Sequence, residues 1–308
     1  MLTTDKTMLF CIGAQKAGTS WLYTVLAAHP ECHMPVKEVH YFDTVVDAKR
    51  AGAVFKRRNA KADKVLARAA AQKGQKSPER LTTLGDHIAL LKQSETNTGD
   101  DSDYLAFLLK GGDAKHVIGD ITPAYATLTQ KEFARMVQLS PNARFLFLMR
   151  DPIDRLWSEI RMSAQKTEKR LSGDKDEASE EVYTRRCLKR LDAAIAEGPL
   201  TGANRSNYML TLQELEAAVP AEQIMTVFFE DMFEQSSIDK MCGFIGIAPI
   251  AAQVETVKFP GRKLAFPQDR YAGVYTWLAD QYEGAAAKFG DALPARWRDR
   301  MTLGQANG

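Results

Sequence analysis

The chain contains four largely apolar runs, each followed by a glycine or a charged residue. They lie at 8–12, 117–118, 144–149 and 224–229. Runs that do not alternate with polar residues are typical of strands buried on both faces of a parallel sheet. Apolar residues recur at helical spacing between them, over 130–139, 152–164, 181–196 and 207–219. This order predicts an α/β fold of the three-layer, P-loop-like kind, with a central, mostly parallel sheet flanked by helices.

Two stretches depart from this pattern. Residues 48–115 are rich in Lys, Arg, Ala and Gln and show no strong strand pattern, which favours a helical insertion over the sheet. Residues 165–179 are polar and contain almost no apolar side chains, which is typical of a flexible surface loop. We see no internal repeat, and therefore expect one domain over 1–308.

Composition narrows the classes of partner. Lys and Arg number 41 against 39 Asp and Glu, so a net charge of +2 gives no overall field for nucleic acid or an anionic membrane. The run at 8–12 is too short for a signal peptide or a membrane span. Four scattered cysteines lack metal-ligand spacing and fit reduced thiols. We expect a cytoplasmic protein without a metal.

Apolar residues at 271–279 fit core packing, which we favour, or a dimer contact, so we expect a monomer or homodimer.

The first apolar run leads into the segment GAQKAGTS at 13–20, and Thr19 or Ser20 can then cap a helix. Backbone N–H groups of such a loop point at a bound phosphate. The nucleoside-triphosphate loop reads G-x-x-x-x-G-K-[ST]. Here Thr19 occupies the lysine position and the lysine has moved to Lys16. The displaced lysine can contact a bridging oxygen but disfavours a Mg²⁺-centred triphosphate, and an ordinary strand–turn–helix is the alternative.

A second candidate lies at the end of the third run. Arg150 ends this run, Asp151 and Pro152 have the types expected at a helix start, and Ser158 follows about two turns into the helix. A guanidinium group binds phosphate oxygens in a bidentate manner, and open α/β sheets bind ligands beyond the carboxyl ends of their strands. Arg150 and Ser158 can therefore converge on one phosphate. The alternative is that Arg150 only caps a carbonyl group.

These segments together resemble the sulfotransferases that use 3′-phosphoadenosine-5′-phosphosulfate (PAPS). QKAGTSWL at 15–22 looks like their 5′-phosphosulfate loop, and RDPIDRLWS at 150–158 looks like their 3′-phosphate motif. KFPGRK at 258–263 resembles, more weakly, a late loop over the 3′-phosphate and adenine. The donor-binding residues implied by this resemblance are Gln15, Lys16, Ala17, Gly18, Thr19, Ser20, Trp21, Arg150, Ser158, Arg262 and Lys263.

The resemblance also implies the chemistry. A sulfuryl group would move from PAPS to a hydroxyl or amine by in-line displacement, leaving 3′-phosphoadenosine-5′-phosphate (PAP), with Lys16 stabilising the leaving phosphate. VKEVHYF at 36–42 resembles the Lys-Glu-x-x-(Tyr/Phe)-Phe stretch of glycosaminoglycan-type sulfotransferases, the closest group in motif style, and we expect a bacterial member. This maps the general base onto Glu38. His40 is the alternative base, and simple pairing of Glu38 with Lys37 is the structural alternative.

Three residues are candidates for contact with the acceptor, namely Lys37, Asp120 and Tyr208. GDITPAY at 119–125 resembles the family's Gly-Glu-Lys-(Ser/Thr)-Pro-x-Tyr segment near the acceptor, but Ile121 replaces the lysine. This loss argues against a glycosaminoglycan acceptor. A sugar, a lipid headgroup, a small metabolite and a peptide all remain candidates.

Two other functions fit parts of the pattern. A P-loop kinase for a small molecule would use Asp120 as a magnesium ligand, but it needs a lysine where Thr19 stands. A non-catalytic nucleotide-binding module would keep Lys16 and Arg150 and could lack Glu38. The presence of both Lys16 and Glu38 favours an enzyme.

Overall fold

A parallel β-sheet forms the centre of the fold. The computed structural model describes residues 5–70, 78–94, 100–172, 179–198, 200, 204–251 and 262–306. The strands are β1 (Thr7–Gly13), β2 (Cys32–His33), β3 (Val117–Ile121), β4 (Ala143–Met149) and β5 (Ile224–Phe228). Their order across the sheet is β2-β3-β1-β4-β5, and each pair of neighbours is parallel. The predicted α/β fold is confirmed.

Helices flank this sheet, and three of them lie within the described part of the 48–115 stretch. The helices are α1 (Thr19–Ala28), α2 (Phe42–Val45), α3 (Ala48–Ala70), α4 (Pro78–Ser94), α5 (Ser102–Leu109), α6 (Gln130–Val137), α7 (Pro152–Ser172), α8 (Glu180–Ala196), α9 (Tyr208–Glu216), α10 (Gln235–Ile245), α11 (Tyr271–Phe289) and α12 (Ala295–Ala306). In the described ranges, every helix is either too short or too polar to traverse a bilayer.

The two central strands show why the apolar runs are continuous. All of β1 is buried, as is β4 apart from the half-buried Arg144. Phe10 of β1 stacks on Phe145 of β4 with ring centroids 5.1 Å apart. Burying a side chain of this size contributes about 1.5–3 kcal/mol. The carboxyl ends of β1, β3 and β4 therefore meet at one edge of a rigid core.

One strand was not predicted, and one local prediction was partly wrong, each for an identifiable reason. The strand β2 has only two residues, too few to give an apolar pattern. The loop prediction was wrong for 165–172, where α7 continues as a helix. Polar contacts replace apolar ones there: Arg190 of α8 donates to Thr167 Oγ1 at 2.7 Å, and Glu168 is buried. Residues 173–178 of the predicted loop lie outside the described residues.

The junction between β4 and α7 is fixed by a buried carboxylate. Asp151 Oδ1 accepts the backbone N–H of Asp154 at 2.9 Å, which caps the first turn of α7. Asp151 Oδ2 accepts the hydroxyl of Tyr282 in α11, also at 2.9 Å. Tyr282 is fully buried, so α11 packs on the core, in line with the favoured interpretation of 271–279. This arrangement fixes the chain immediately after Arg150.

Replacing Asp151 with alanine should lower the free energy of unfolding by about 2–4 kcal/mol, the combined cost of a helix cap and a buried hydrogen bond. Tyr282→Phe keeps the helix cap and loses the two contacts of the hydroxyl group, with Asp151 and with the backbone N–H of Ile153, and should cost about 1 kcal/mol. Urea denaturation followed by circular dichroism measures both. Equal losses in the two variants would contradict the capping role of Asp151.

Candidate active site

A cavity of about 370 Å³ lies where the loops after β1 and β4 meet. We call it the central cavity. Its lining residues are Gln15, Lys16, Gly18, Thr19, Ser20, Trp21, Lys37, Glu38, His40, Arg57, Pro123, Ala124, Arg150, Ser158, Met162, Lys166, Arg205, Phe229 and Phe233. The two predicted phosphate motifs and the predicted base segment therefore line one cavity.

The loop after β1 turns the chain sharply into α1. Gly18 has φ +94°, and a Cβ atom there would lie 2.5 Å from Met232 Sδ, so the position requires glycine. Lys16 also has a left-handed backbone, with φ 74°. Its ammonium group makes no hydrogen bond or ion pair with any described residue, and burial, followed by the charges of Arg150 and Lys166, lowers its pKa. An anion would supply the missing partner.

Arg150 joins the two phosphate motifs. Its Nη1 donates to the carbonyl oxygen of Lys16 at 3.2 Å, and its guanidinium carbon lies 4.4 Å from the ring centroid of Phe229. Its Nε is buried and has no hydrogen-bond partner within the described part of the chain. Ser158 lines the same cavity. The guanidinium group is thus held in place with donor capacity left for a ligand.

The segment 37–40 is attached to both neighbouring elements. Lys37 Nζ donates to Ser20 Oγ of α1, and the backbone N–H of Glu38 donates to the carbonyl oxygen of Ile121 in β3 at 3.2 Å. Glu38 and His40 both have φ 61°, a left-handed conformation that non-glycine residues seldom adopt. Such backbone strain is concentrated at functional sites. The tight turns bring both side chains to the central cavity.

Glu38 is surrounded by positive charge. Its carboxylate lies 3.5 Å from His40 Nε2, 3.7 Å from Lys37 Nζ and 3.4 Å from Arg58 Nη2. Burial alone would raise its pKa, but the contacts with His40, Lys37 and Arg58 outweigh burial and lower the pKa to about 2. Glu38 is therefore ionised at physiological pH, although the same contacts make it a weaker base than an ordinary carboxylate.

His40 lies between two carboxylates and an arginine. Its Nδ1 is 2.9 Å from Asp43 Oδ2, and its Nε2 is 3.3 Å from Arg57 Nη2 in addition to the Glu38 contact. Burial opposes protonation, but the hydrogen bonds to Asp43 and Glu38 outweigh it and raise the pKa of His40. Asp43 thereby orients the ring so that Nε2 faces Glu38.

The structure corrects the role predicted for Asp120. This carboxylate is fully buried and lies outside the cavity lining. It accepts hydrogen bonds from the hydroxyls of Tyr104 at 2.9 Å, Tyr125 at 2.8 Å and Thr122 at 2.6 Å. Tyr125 in turn accepts the backbone N–H of Tyr41 at 3.0 Å. Asp120 thus supports the 37–42 segment from behind and has no free face for an acceptor or a magnesium ion.

Four other predicted residues also lie outside the cavity lining, namely Tyr208, Ala17, Arg262 and Lys263. Tyr208 is fully buried, and its hydroxyl donates to the carbonyl oxygen of Arg150 at 2.9 Å, so it positions Arg150. Ala17 is fully buried in the core. The guanidinium of Arg262 lies 4.4 Å from the ring centroid of Tyr183.

The late basic loop contributes little to the described site. Lys263 is exposed, and neither it nor Arg262 lines the central cavity. Residues 258–261 of the predicted loop lie outside the described residues. Across the described ranges there is also no group of three or more His, Cys, Asp or Glu side chains that could hold a metal ion.

Sequence reasoning missed several lining residues. Phe229 and Phe233 follow β5 as Arg150 follows β4, so strand order could have suggested them. Phe233 packs edge-on against Trp21 at 5.2 Å and against Phe229 at 5.3 Å between ring centroids. The lining residues from helices and a distant loop gave no local signal; they are Arg57, Met162, Lys166 and Arg205.

The raised pKa of His40 predicts a pH-dependent contribution to stability. The groups facing it are Glu38, Asp43, Arg57, Arg58 and Asp120. The stabilisation is fully present below the unfolded pKa of about 6.5 and is lost as pH rises through the higher folded value. His40→Gln should therefore destabilise more at about pH 6 than at about pH 9 in urea denaturation. A difference that is constant or grows with pH would show that the pKa is not raised.

Solved structures and a protein-family model are similar to this chain. A sulfotransferase from Alicyclobacillus acidocaldarius is 18% identical, with a TM-score of 0.54 over 97% of this chain and 100% of that chain. The sulfotransferase domain of the Synechococcus PCC 7002 olefin synthase is 16% identical, with a TM-score of 0.45 over 99% of this chain and 95% of that chain. A search of curated proteins gives no match. Sequence comparison matches the model of the sulfotransferase family over residues 9–250, most of the chain. The first of these structures supports the fold, and the family match shows that this chain belongs to the sulfotransferase family, enzymes that transfer sulfuryl groups.

Proposed function

We propose that the protein transfers the sulfuryl group of PAPS to a hydroxyl or amine of an acceptor and releases PAP. One observation carries this proposal. Two anion-binding motifs from separate strand ends, at Lys16 and at Arg150, line one cavity and are joined by a hydrogen bond of 3.2 Å. A nucleotide with acidic groups at both ends would neutralise both motifs. The chain's membership of the sulfotransferase family supports this donor over a nucleoside triphosphate.

The lining residues suit each part of the donor. Lys16 and the backbone N–H groups at the start of α1 would hold the phosphosulfate. Arg150 and Ser158 would hold the 3′-phosphate, since a planar guanidinium binds phosphate oxygens in pairs. Trp21 and Phe229 offer aromatic surface on which adenine can pack.

Glu38 and Lys16 would divide the chemistry. A bond forms between the acceptor oxygen or nitrogen and sulfur, while the bond between sulfur and the bridging phosphate oxygen breaks. Lys16 stabilises the negative charge that develops on this leaving oxygen. The ionised Glu38 takes the acceptor proton, which becomes acidic as the attack proceeds. His40, 3.5 Å from Glu38, orients the carboxylate; it is the alternative base only in its neutral form, which its raised pKa disfavours.

The donor assignment is testable by calorimetric titration. PAP should bind much more tightly than ATP with magnesium, because only PAP carries a 3′-phosphate, the group proposed to bind Arg150. Lys16→Ala and Arg150→Ala should each weaken PAP binding about 10- to 100-fold, the usual loss for a hydrogen bond to a charged group. Lys240→Ala, an exposed lysine on α10, is the matched control and should bind like the parent protein. Equal affinity for ATP and PAP would overturn the proposal.

The base assignment requires turnover measurements with radiolabelled PAPS, scoring both sulfate transfer and donor hydrolysis. Glu38→Gln should reduce turnover about 10²- to 10⁴-fold. PAP binding should stay within about twofold of the parent, because the proposed donor contacts remain. His40→Asn should cause the smaller loss if the ring only orients Glu38. Parental turnover in Glu38→Gln together with an inactive His40→Asn would transfer the role of base to His40.

A further inference from the structure

A second cavity of about 450 Å³ adjoins the central cavity, and we call it the side cavity. The two cavities share the lining residues Gln15, Arg57, Met162, Lys166 and Arg205. Beyond this shared wall, the side cavity lies between α7, α8 and Trp277 of α11. Of its other residues, Arg155 and Leu156 lie within the 150–158 motif, and the rest lie outside both phosphate motifs.

Three cations on three different helices face the side cavity. They are Arg57 on α3, Lys166 on α7 and Arg190 on α8. Among the described residues, none of them has a carboxylate partner: Arg57 lies 3.3 Å from His40 Nε2, Arg190 donates to Thr167 Oγ1 at 2.7 Å, and Lys166 has no hydrogen bond. Arg57 and Lys166 are exposed and Arg190 is half-buried, so water screens part of their repulsion, and an anion bound in the side cavity would be attracted to all three.

The acidic residue in this lining does not offset them. Glu159 Oε2 accepts a hydrogen bond from Arg155 Nη1 at 2.7 Å, and its Oε1 lies 3.5 Å from Arg205 Nη1. Burial would raise the pKa of Glu159, but the two arginines outweigh burial and lower it. Its charge is already matched by these two arginines. The side cavity therefore retains the positive charge of Arg57, Lys166 and Arg190.

The shared wall lies next to the proposed reacting groups. Gln15 directly precedes Lys16, the residue proposed to contact the phosphosulfate. Arg57 is 3.3 Å from His40, which is 3.5 Å from Glu38. A molecule in the side cavity would therefore lie beside the residues proposed to bind the sulfuryl group and to accept the proton. Leu156, Ile160, Ala194 and Trp277 give the same cavity an apolar surface.

We propose that the side cavity binds the acceptor, and that this acceptor is a small hydroxyl compound carrying a phosphate or carboxylate group. The inference rests on the proposed function, because it takes the central cavity as the donor site. Guanidinium groups bind phosphate and carboxylate alike, so the two anions share one recognition chemistry. A volume of about 450 Å³ is in the range of sites for small molecules.

Calorimetry on the protein saturated with PAP tests this directly, since the donor site is then filled. The probes are two matched pairs, glycerol 3-phosphate with glycerol and 4-hydroxybenzoate with 4-hydroxybenzyl alcohol. We expect at least one anionic probe to bind about tenfold or more tightly than its neutral match, and to weaken as salt is added. Which pair shows the larger ratio distinguishes a phosphate from a carboxylate.

Substitutions on α8 test where the anionic probe binds. Arg190→Gln should weaken the anionic probe about tenfold and leave PAP affinity within about twofold, which also shows that the variant is folded. Arg190→Lys keeps the charge and should restore part of the binding. Arg185→Gln removes the same charge from an exposed position of α8 outside the side cavity and should change nothing.

Three results would overturn the inference while PAP still binds. Both anionic probes could fail to bind the PAP-saturated protein, they could bind no better than their neutral matches, or Arg190→Gln could bind them like the parent. If PAP itself fails to bind, the proposed function falls, and the acceptor assignment falls with it. The two failures are therefore distinguishable by one titration with PAP.

Discussion

Positive charge gathered at one edge of the sheet is the constraint on which this structure depends. Lys16, Lys37 and Arg150 line the central cavity together with cations from helices, while its acidic lining residue is Glu38. Burial and the neighbouring cations lower the pKa of Lys16, because a positive charge is unfavourable in this arrangement. The hydrogen bond from Arg150 to the carbonyl oxygen of Lys16, and the contact with the Phe229 ring, hold the charges in place. A bound polyanion would reduce the repulsion between these cations. The free energy released in this way would contribute to its binding.

A buried acid on the far side of the 37–42 segment completes the site without touching a ligand. Glu38 and His40 both have left-handed backbones, and each such residue costs about 1–3 kcal/mol. The hydroxyls of Tyr125 and Thr122 donate to Asp120 and accept N–H groups of the strained segment, at Tyr41 and His40. This network offsets the strain. Burial raises the pKa of Asp120 although these hydroxyls lower it, and because both of its oxygens accept hydrogen bonds inside the core, the carboxylate has no catalytic geometry.

Sequence patterns predicted the strands and both phosphate motifs because these features are local. A parallel strand is a continuous apolar run, Gly18 directly precedes α1, and Arg150 directly follows β4. The same reasoning misjudged Asp120 and Tyr208, since the sequence does not distinguish a polar group that binds a ligand from one that is satisfied inside the core. It also missed Arg57, because its place in the cavity depends on how α3 packs, and nothing periodic in α3 encodes that packing.

The contrast between local sequence features and long-range packing also applies to the two substrates, the donor and the acceptor. Short segments at strand ends would bind the donor, so its chemistry is visible in the sequence. The side cavity instead takes its cations from α3, α7 and α8, whose positions relative to each other come from long-range packing. Substitutions at Arg57 or Arg190 would change the charge there without altering the sheet or the loop at Lys16. The fold can therefore keep one donor while its helices specify a different acceptor. For this reason sequence motifs indicate the reaction, whereas the packing of the helices indicates the acceptor.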